Sequence, residues 1–193
     1  MLAILRAVEA GRVGGARVAV VLSDRPGARA LKVAERRGVP AVWVDPKGAA
    51  SREDYDKKLA AALEAAGVSP GKGLVLLAGF MRLLSPWFVK RFGGRLMNVH
   101  PSLLPSFPGL DAQRQALEHG VKVAGCTVHF VVPEVDAGPI VAQAAVRVEP
   151  TDTEETLAAR ILAQEHRIYP LAVKLFVEGR LKIEGRRVVI DRR

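Results

Sequence analysis

The run Leu74-Val75-Leu76-Leu77-Ala78 contains no polar residue. A strand with one wet face alternates apolar and polar side chains, so a run without alternation suits a central parallel strand buried on both faces. Parallel sheets meet that condition, because their crossover connections lay helices over the faces. The rest of the chain supplies the pieces. Short apolar, β-branched runs at 17–23, 41–44, 95–100, 126–132 and 140–148 alternate with helical patterns at 1–10, 27–37, 52–66, 86–92 and 112–118. This alternation predicts an α/β chain with a doubly wound, mostly parallel sheet. Ser51 is placed to cap the helix at 52–66, with Glu53 and Asp54 in its first turn.

From Cys126 the pattern changes. Two strand-like runs flank the turn Pro133-Glu134-Val135-Asp136-Ala137-Gly138-Pro139, as in an antiparallel hairpin with a long loop. A long helix is expected from about 154 to 178, opened by Thr151-Asp152-Thr153, with Pro170 expected to kink or divide it. A small hairpin around 181–183 and 188–190 closes the chain. With no repeat and no linker, residues 1–193 read as a single domain. Hydrophobic residues at 49% and charged residues at 25% suit a soluble globular chain. No apolar run reaches the length of a membrane span and no signal peptide is visible, which points to a cytoplasmic protein. The single cysteine, Cys126, excludes an internal disulfide and reads as buried and inert. The net charge of +9 keeps a nucleic-acid-binding protein in view. The cations are dispersed, apart from Arg186-Arg187 and Arg192-Arg193, and aromatics at 5% leave little for base stacking.

The one asparagine of the chain, Asn98, stands two residues before His100 at the end of an apolar run. Residues two apart project from the same side of a strand, and Pro101 and Pro105 stop the strand. An amide donor beside a titratable ring suits stabilisation of a developing oxyanion; a polar turn holding a hydrogen-bonded histidine is the plainer alternative. Asp136 lies in the turn after the Cys126 run, as a turn-former or as a carboxylate that supports His100.

Gly79-Phe80-Met81-Arg82-Leu83-Leu84-Ser85-Pro86, Asn98-Val99-His100-Pro101-Ser102-Leu103-Leu104-Pro105 and Val135-Asp136-Ala137-Gly138-Pro139 together resemble the folate-dependent glycinamide ribonucleotide formyltransferase family of purine synthesis. Gln164-Glu165-His166-Arg167-Ile168-Tyr169-Pro170 is similar to the family's late helix, so the resemblance runs in order along the whole chain. It implies a Rossmann-like formyltransferase fold and formyl transfer from 10-formyltetrahydrofolate, the cosubstrate, to the amine of glycinamide ribonucleotide, without a metal. Asn98, His100 and Asp136 match the catalytic positions. Met81, Arg82, Leu83, Leu84 and Val135, with Asn98 and Asp136, match the folate site. Gly79, His100, Pro101 and Glu165 match the substrate site, and His129 matches a supporting histidine.

Two departures from the family pattern stand out. Asp111 and Gln113 occupy positions where the family commonly has histidines. The family's opening strand and phosphate-holding loop are missing ahead of Met1, so the domain is expected to be N-terminally incomplete, with numbering that starts at an internal methionine. Weak binding of glycinamide ribonucleotide and reduced stability would follow. Other readings are a formyltetrahydrofolate hydrolase, a methionyl-tRNA formyltransferase, a basic nucleic-acid-binding protein and an inactive folate-binding remnant.

Overall fold

The computed structural model describes residues 1–191; Arg192 and Arg193 of the expected basic tail lie outside the described residues. The chain runs α1 (Leu2–Glu9), β1 (Val21–Ser23), α2 (Arg29–Glu35), β2 (Ala41–Trp43), α3 (Arg52–Ala65), β3 (Val75–Leu77) and α4 (Pro86–Arg91). It continues with β4 (Leu96–His100), α5 (Ala112–Glu118), β5 (Val123–Phe130), β6 (Ile140–Arg147), α6 (Glu154–Val177), β7 (Leu181–Glu184) and β8 (Arg187–Ile190). The expected order of elements holds, with several strands shorter at their ends.

Local chemistry accounts for the helix starts. The Ser51 hydroxyl accepts the Asp54 N–H at the head of α3, and the Ser85 hydroxyl accepts the Phe88 N–H at the head of α4, where Pro86 occupies the first turn. Thr153 and Thr156 form a reciprocal capping box at the head of α6. Of the two outcomes expected at Pro170, division does not occur: the helix is continuous from Glu154 to Val177. Ile168, Tyr169, Ala172 and Val173 are all buried around the proline, and packing of that stripe outweighs one missing backbone hydrogen bond.

The β-structure falls into two sheets. β1 and β2 pair in parallel as a separate ribbon. The larger sheet has the order β3-β4-β5-β6-β8-β7. Within it β3 and β4 are parallel, whereas β5 runs antiparallel to both β4 and β6. The change expected from Cys126 is therefore the point at which the sheet turns antiparallel. One apolar core joins α1 and α6 to β4, β5 and β6; a second joins α3 and α4 to Val44, Val75 and Leu96.

The run at 74–78 corrects one expectation. Val75 is buried, but Leu76 and Leu77 are only half-buried, because β3 is an edge of the larger sheet. Its open side faces a cavity of about 1040 Å³, bounded across the gap by Val20, Val21 and Leu22 and at the ends by Leu5 of α1 and Val173 of α6. Val21 donates to Pro40 and Val75 donates to Arg95, both toward the paired neighbour. Strand alternation therefore turns the amide and carbonyl of Leu22 and of Leu76 into the cavity.

Candidate active site

Alternation on β5 separates two kinds of surface. Ala124, Cys126, Val128 and Phe130 are buried in the core that includes α6. Thr127 and His129 point to the opposite face. In the antiparallel register Asn98 lies opposite His129, and His100 lies opposite Thr127. Cross-strand partners share a face, so these four polar side chains form one patch. The loop 131–139 brings Asp136 over it. Gly138 makes that approach possible, since a Cβ there would fall 1.7 Å from the Phe130 carbonyl oxygen.

The geometry fixes most of the protons. His129 Nδ1 is 2.9 Å from the Phe130 carbonyl oxygen, an acceptor only, so Nδ1 carries hydrogen and donates. Burial pushes the His129 pKa down, against the opposing pull of the Phe130 carbonyl and the Asp136 carboxylate. The neutral ring leaves a lone pair on Nε2, which faces the Asn98 amide nitrogen at 3.5 Å. His129 thereby orients the Asn98 side chain. His100 Nε2 donates to the Phe107 carbonyl at 2.9 Å, and its Nδ1 lies 3.4 Å from Asp136 Oδ2. Asp136 Oδ2 also accepts the Gly109 N–H at 2.8 Å, and Oδ1 is 3.6 Å from His129 Nε2. The His100 side chain is 6% exposed and that of Asp136 12%, which limits screening by water.

Phe107, Asp111 and Asp136 have φ of 53°, 57° and 51°. These are the described non-glycine residues with positive φ, and all lie in the two loops around the patch. Such backbone is costly and persists where surrounding contacts over-determine it. An amide donor, an imidazole and a carboxylate held this closely can stabilise an oxyanion and move a proton.

The structure brings together Asn98, His100, Asp136 and His129. It leaves the other expected residues farther out. Met81, Leu83 and Val135 are exposed. Arg82 lies over the Tyr55 ring at 4.9 Å and 3.9 Å from the Asp24 carboxylate. Gly79 and Leu84 line the large cavity, which the catalytic candidates do not line. Pro101 lines a smaller one of about 120 Å³ with Ser102 and Phe107. Glu165, half-buried on α6, faces the Met1 amino group, and burial pushes its carboxyl up. Asp111, one of the two departures, pairs with Arg114. Cys126 is buried with its thiol pushed up to about 12 by desolvation, as an inert thiol requires.

Several contributors escaped the sequence. The Phe107 carbonyl and Gly109 amide act through backbone, which leaves no side-chain signal; the Pro108-Gly109 pair marks only a turn. Thr127 and Gln143 read as strand residues.

The formyl transferase family model matches residues 1–173. The phosphoribosylglycinamide formyltransferase of Escherichia coli (strain K12) is 41% identical over 189 residues, which covers 98% of this chain and 87% of that protein. The trifunctional purine biosynthetic protein adenosine-3 of Gallus gallus is 46% identical over 168 residues, or 87% of this chain, although the match spans only 16% of that longer protein. Glycinamide ribonucleotide transformylase 1 from Symbiobacterium toebii has the same fold, with a TM-score of 0.93 and 59% identity, covering 97% of this chain and 86% of that one. Among the described residues, no helix is long and apolar enough to cross a membrane. The chain belongs to the formyl transferase family, as a formyltransferase of the phosphoribosylglycinamide type.

Proposed function

We propose that the chain transfers the formyl group of 10-formyltetrahydrofolate to the amine of glycinamide ribonucleotide at the patch formed by Asn98, His100 and Asp136. The observation that carries this reading is the placement of Asp136 within 3.4 Å of His100, with the Asn98 amide fixed beside them by His129. The substrate amine attacks the formyl carbon, and the carbonyl π pair moves to oxygen. Asn98 and the Nδ1–H of His100, whose Nε2–H stays on the Phe107 carbonyl, donate to that oxygen as it gains charge. Asp136 accepts the proton that the attacking amine releases. Collapse breaks the bond from the formyl carbon to the folate nitrogen, which leaves with the proton that Asp136 took from the amine. The chain has no need of a metal in this sequence of steps.

The remaining contacts follow from the family's motif positions. Met81, Leu83, Leu84 and Val135 form apolar walls for the folate ring, with Arg82 toward its anionic tail. Gly79, Pro101 and Glu165 lie on the side of the ribonucleotide. The cavity between β1 and β3 supports the reading of 1–193 as a domain that takes one further strand: its two open edges offer hydrogen bonds to an extended segment, which would also approach the ribonucleotide phosphate.

Incubation of the purified chain with 10-formyltetrahydrofolate, with and without glycinamide ribonucleotide, tests the function. Formylated ribonucleotide that appears only with the acceptor supports it. Release of formate at the same rate without acceptor would instead identify a hydrolase and overturn the proposal.

A further inference from the structure

The segment that follows His100 is held from outside as well as by its own turn. Residues 102–104 lie against the same face of β5 and β6 that carries the polar patch, and a Cβ on Gly125 would come within 2.8 Å of the Leu103 side chain. Thr127, fully buried, binds this segment through a single hydroxyl. Its Oγ1 donates to the Ser102 carbonyl at 2.7 Å and accepts the Leu104 N–H at 3.0 Å. Gln143, the cross-strand partner of Thr127, donates through Nε2 to Thr127 Oγ1 at 3.0 Å and to the Leu104 carbonyl at 2.9 Å. The Ser102 hydroxyl continues the chain of bonds to the Ser106 carbonyl at 2.5 Å.

The far end of the same segment meets the catalytic candidates. The Phe107 carbonyl accepts the His100 Nε2–H, and the Gly109 N–H donates to Asp136. The side chains of Thr127 and Gln143 bond neither Asn98 nor His100 nor Asp136, yet both partners supplied by the loop depend on where the loop is clamped. A misplacement of reacting groups by about 1 Å can cost roughly 100-fold in rate. We propose that Thr127, braced by Gln143, is a positioning residue for formyl transfer: by clamping residues 102–104 it sets the ring tautomer and aim of His100 through Phe107. The inference rests on the transfer reaction proposed above for its kinetic consequence, but not for its effect on the ring.

The test compares Thr127→Val, which keeps shape and removes the hydroxyl, with Thr127→Ser, which keeps the hydroxyl, and with Gln143→Leu at an exposed site. Each full-length variant is followed in two ways. Steady-state formyl transfer gives kcat and the KM for 10-formyltetrahydrofolate, and nitrogen-15 NMR of the imidazole rings reads the His100 Nε2–H. Thr127→Val is expected to lower kcat by about 10- to 100-fold with donor KM unchanged, and to lose the slowly exchanging His100 Nε2–H signal. Thr127→Ser is expected to restore both. If Thr127→Val does not fold, Gln143→Leu is read by the same criteria and is expected to move both in the same direction. Retention of the ring signal and kcat in Thr127→Val and Gln143→Leu would overturn the proposal, as would a Thr127→Ser protein as impaired as Thr127→Val. If the wild type transfers no formyl group, the reaction fails, while the NMR comparison still decides the positioning role.

Discussion

The two halves of the β-structure treat their backbone differently. From β4 to β6 the strands pair on both sides, and one face of the resulting ladder carries Asn98, His100, Thr127 and His129 at fixed cross-strand positions. Between β1 and β3 the pairing stops, and two strand edges face each other across a cavity of about 1040 Å³. Tyr169 ties the parallel pair to the helical layer: its hydroxyl lies 2.9 Å from the Leu77 carbonyl on β3 and 3.0 Å from the Met97 carbonyl on β4. The contrast locates precision and openness in separate places. Proton transfer needs side chains held to fractions of an ångström, and a closed ladder supplies that. The open half leaves the edges of β1 and β3 facing the cavity.

The contrast is broken most severely at the ladder face. His100→Ala and Asp136→Asn are each expected to lower kcat by about 100- to 10,000-fold, measured in steady-state transfer, while thermal melting stays close to wild type. A next, smaller effect comes from Gly138→Ala. Its new Cβ would meet the Phe130 carbonyl oxygen, so the loop bearing Asp136 must shift. Urea unfolding is expected to show a loss of about 1–3 kcal/mol, with kcat reduced alongside. Tyr169→Phe probes the tie between the halves. It removes one buried hydroxyl donor shared by two carbonyls and is expected to cost about 0.5–1.5 kcal/mol in the same experiment.

The smallest effect is a pH dependence. Burial holds His129 neutral with its pKa below the ordinary histidine value. As pH falls through that ordinary value, the unfolded chain gains a proton that the folded chain refuses, so stability is lost progressively until the lower folded pKa is reached. Above the ordinary value the penalty is absent. As pH falls through that range, the melting temperature of wild type is expected to drop more steeply than that of His129→Gln, because the variant lacks this loss. Parallel curves would place the acid sensitivity elsewhere.

Much of this was legible in the sequence, for identifiable reasons. The apolar periodicities located every strand and helix, because burial on a face dictates side-chain type. Asn98, His100 and Asp136 were legible because their chemistry lies in side chains at strand ends. The open side of β3 was not: the run Leu74-Val75-Leu76-Leu77-Ala78 reports covered faces and carries no information about its lateral edge. Pro170 was expected to kink or divide α6; the helix is undivided, and the buried stripe around the proline accounts for that. Phe107 and Gly109 contribute backbone groups, and Thr127 contributes through where its strand places it. Such roles arise only when distant segments meet. Arg82 and Glu165 were assigned from motif position; in the fold Arg82 meets Tyr55 and Asp24, and Glu165 feels the charge of the Met1 amino group.

The central claim, that the ladder face stabilises the oxyanion of formyl transfer, is tested most directly by the turnover of Asn98→Ala. Asn98 carries no titratable group, so its loss isolates oxyanion donation from acid–base work. The account predicts that kcat for transfer from 10-formyltetrahydrofolate to glycinamide ribonucleotide falls by about 100- to 1,000-fold, with the melting temperature nearly unchanged. A folded Asn98→Ala protein that turns over near the wild-type rate would contradict it.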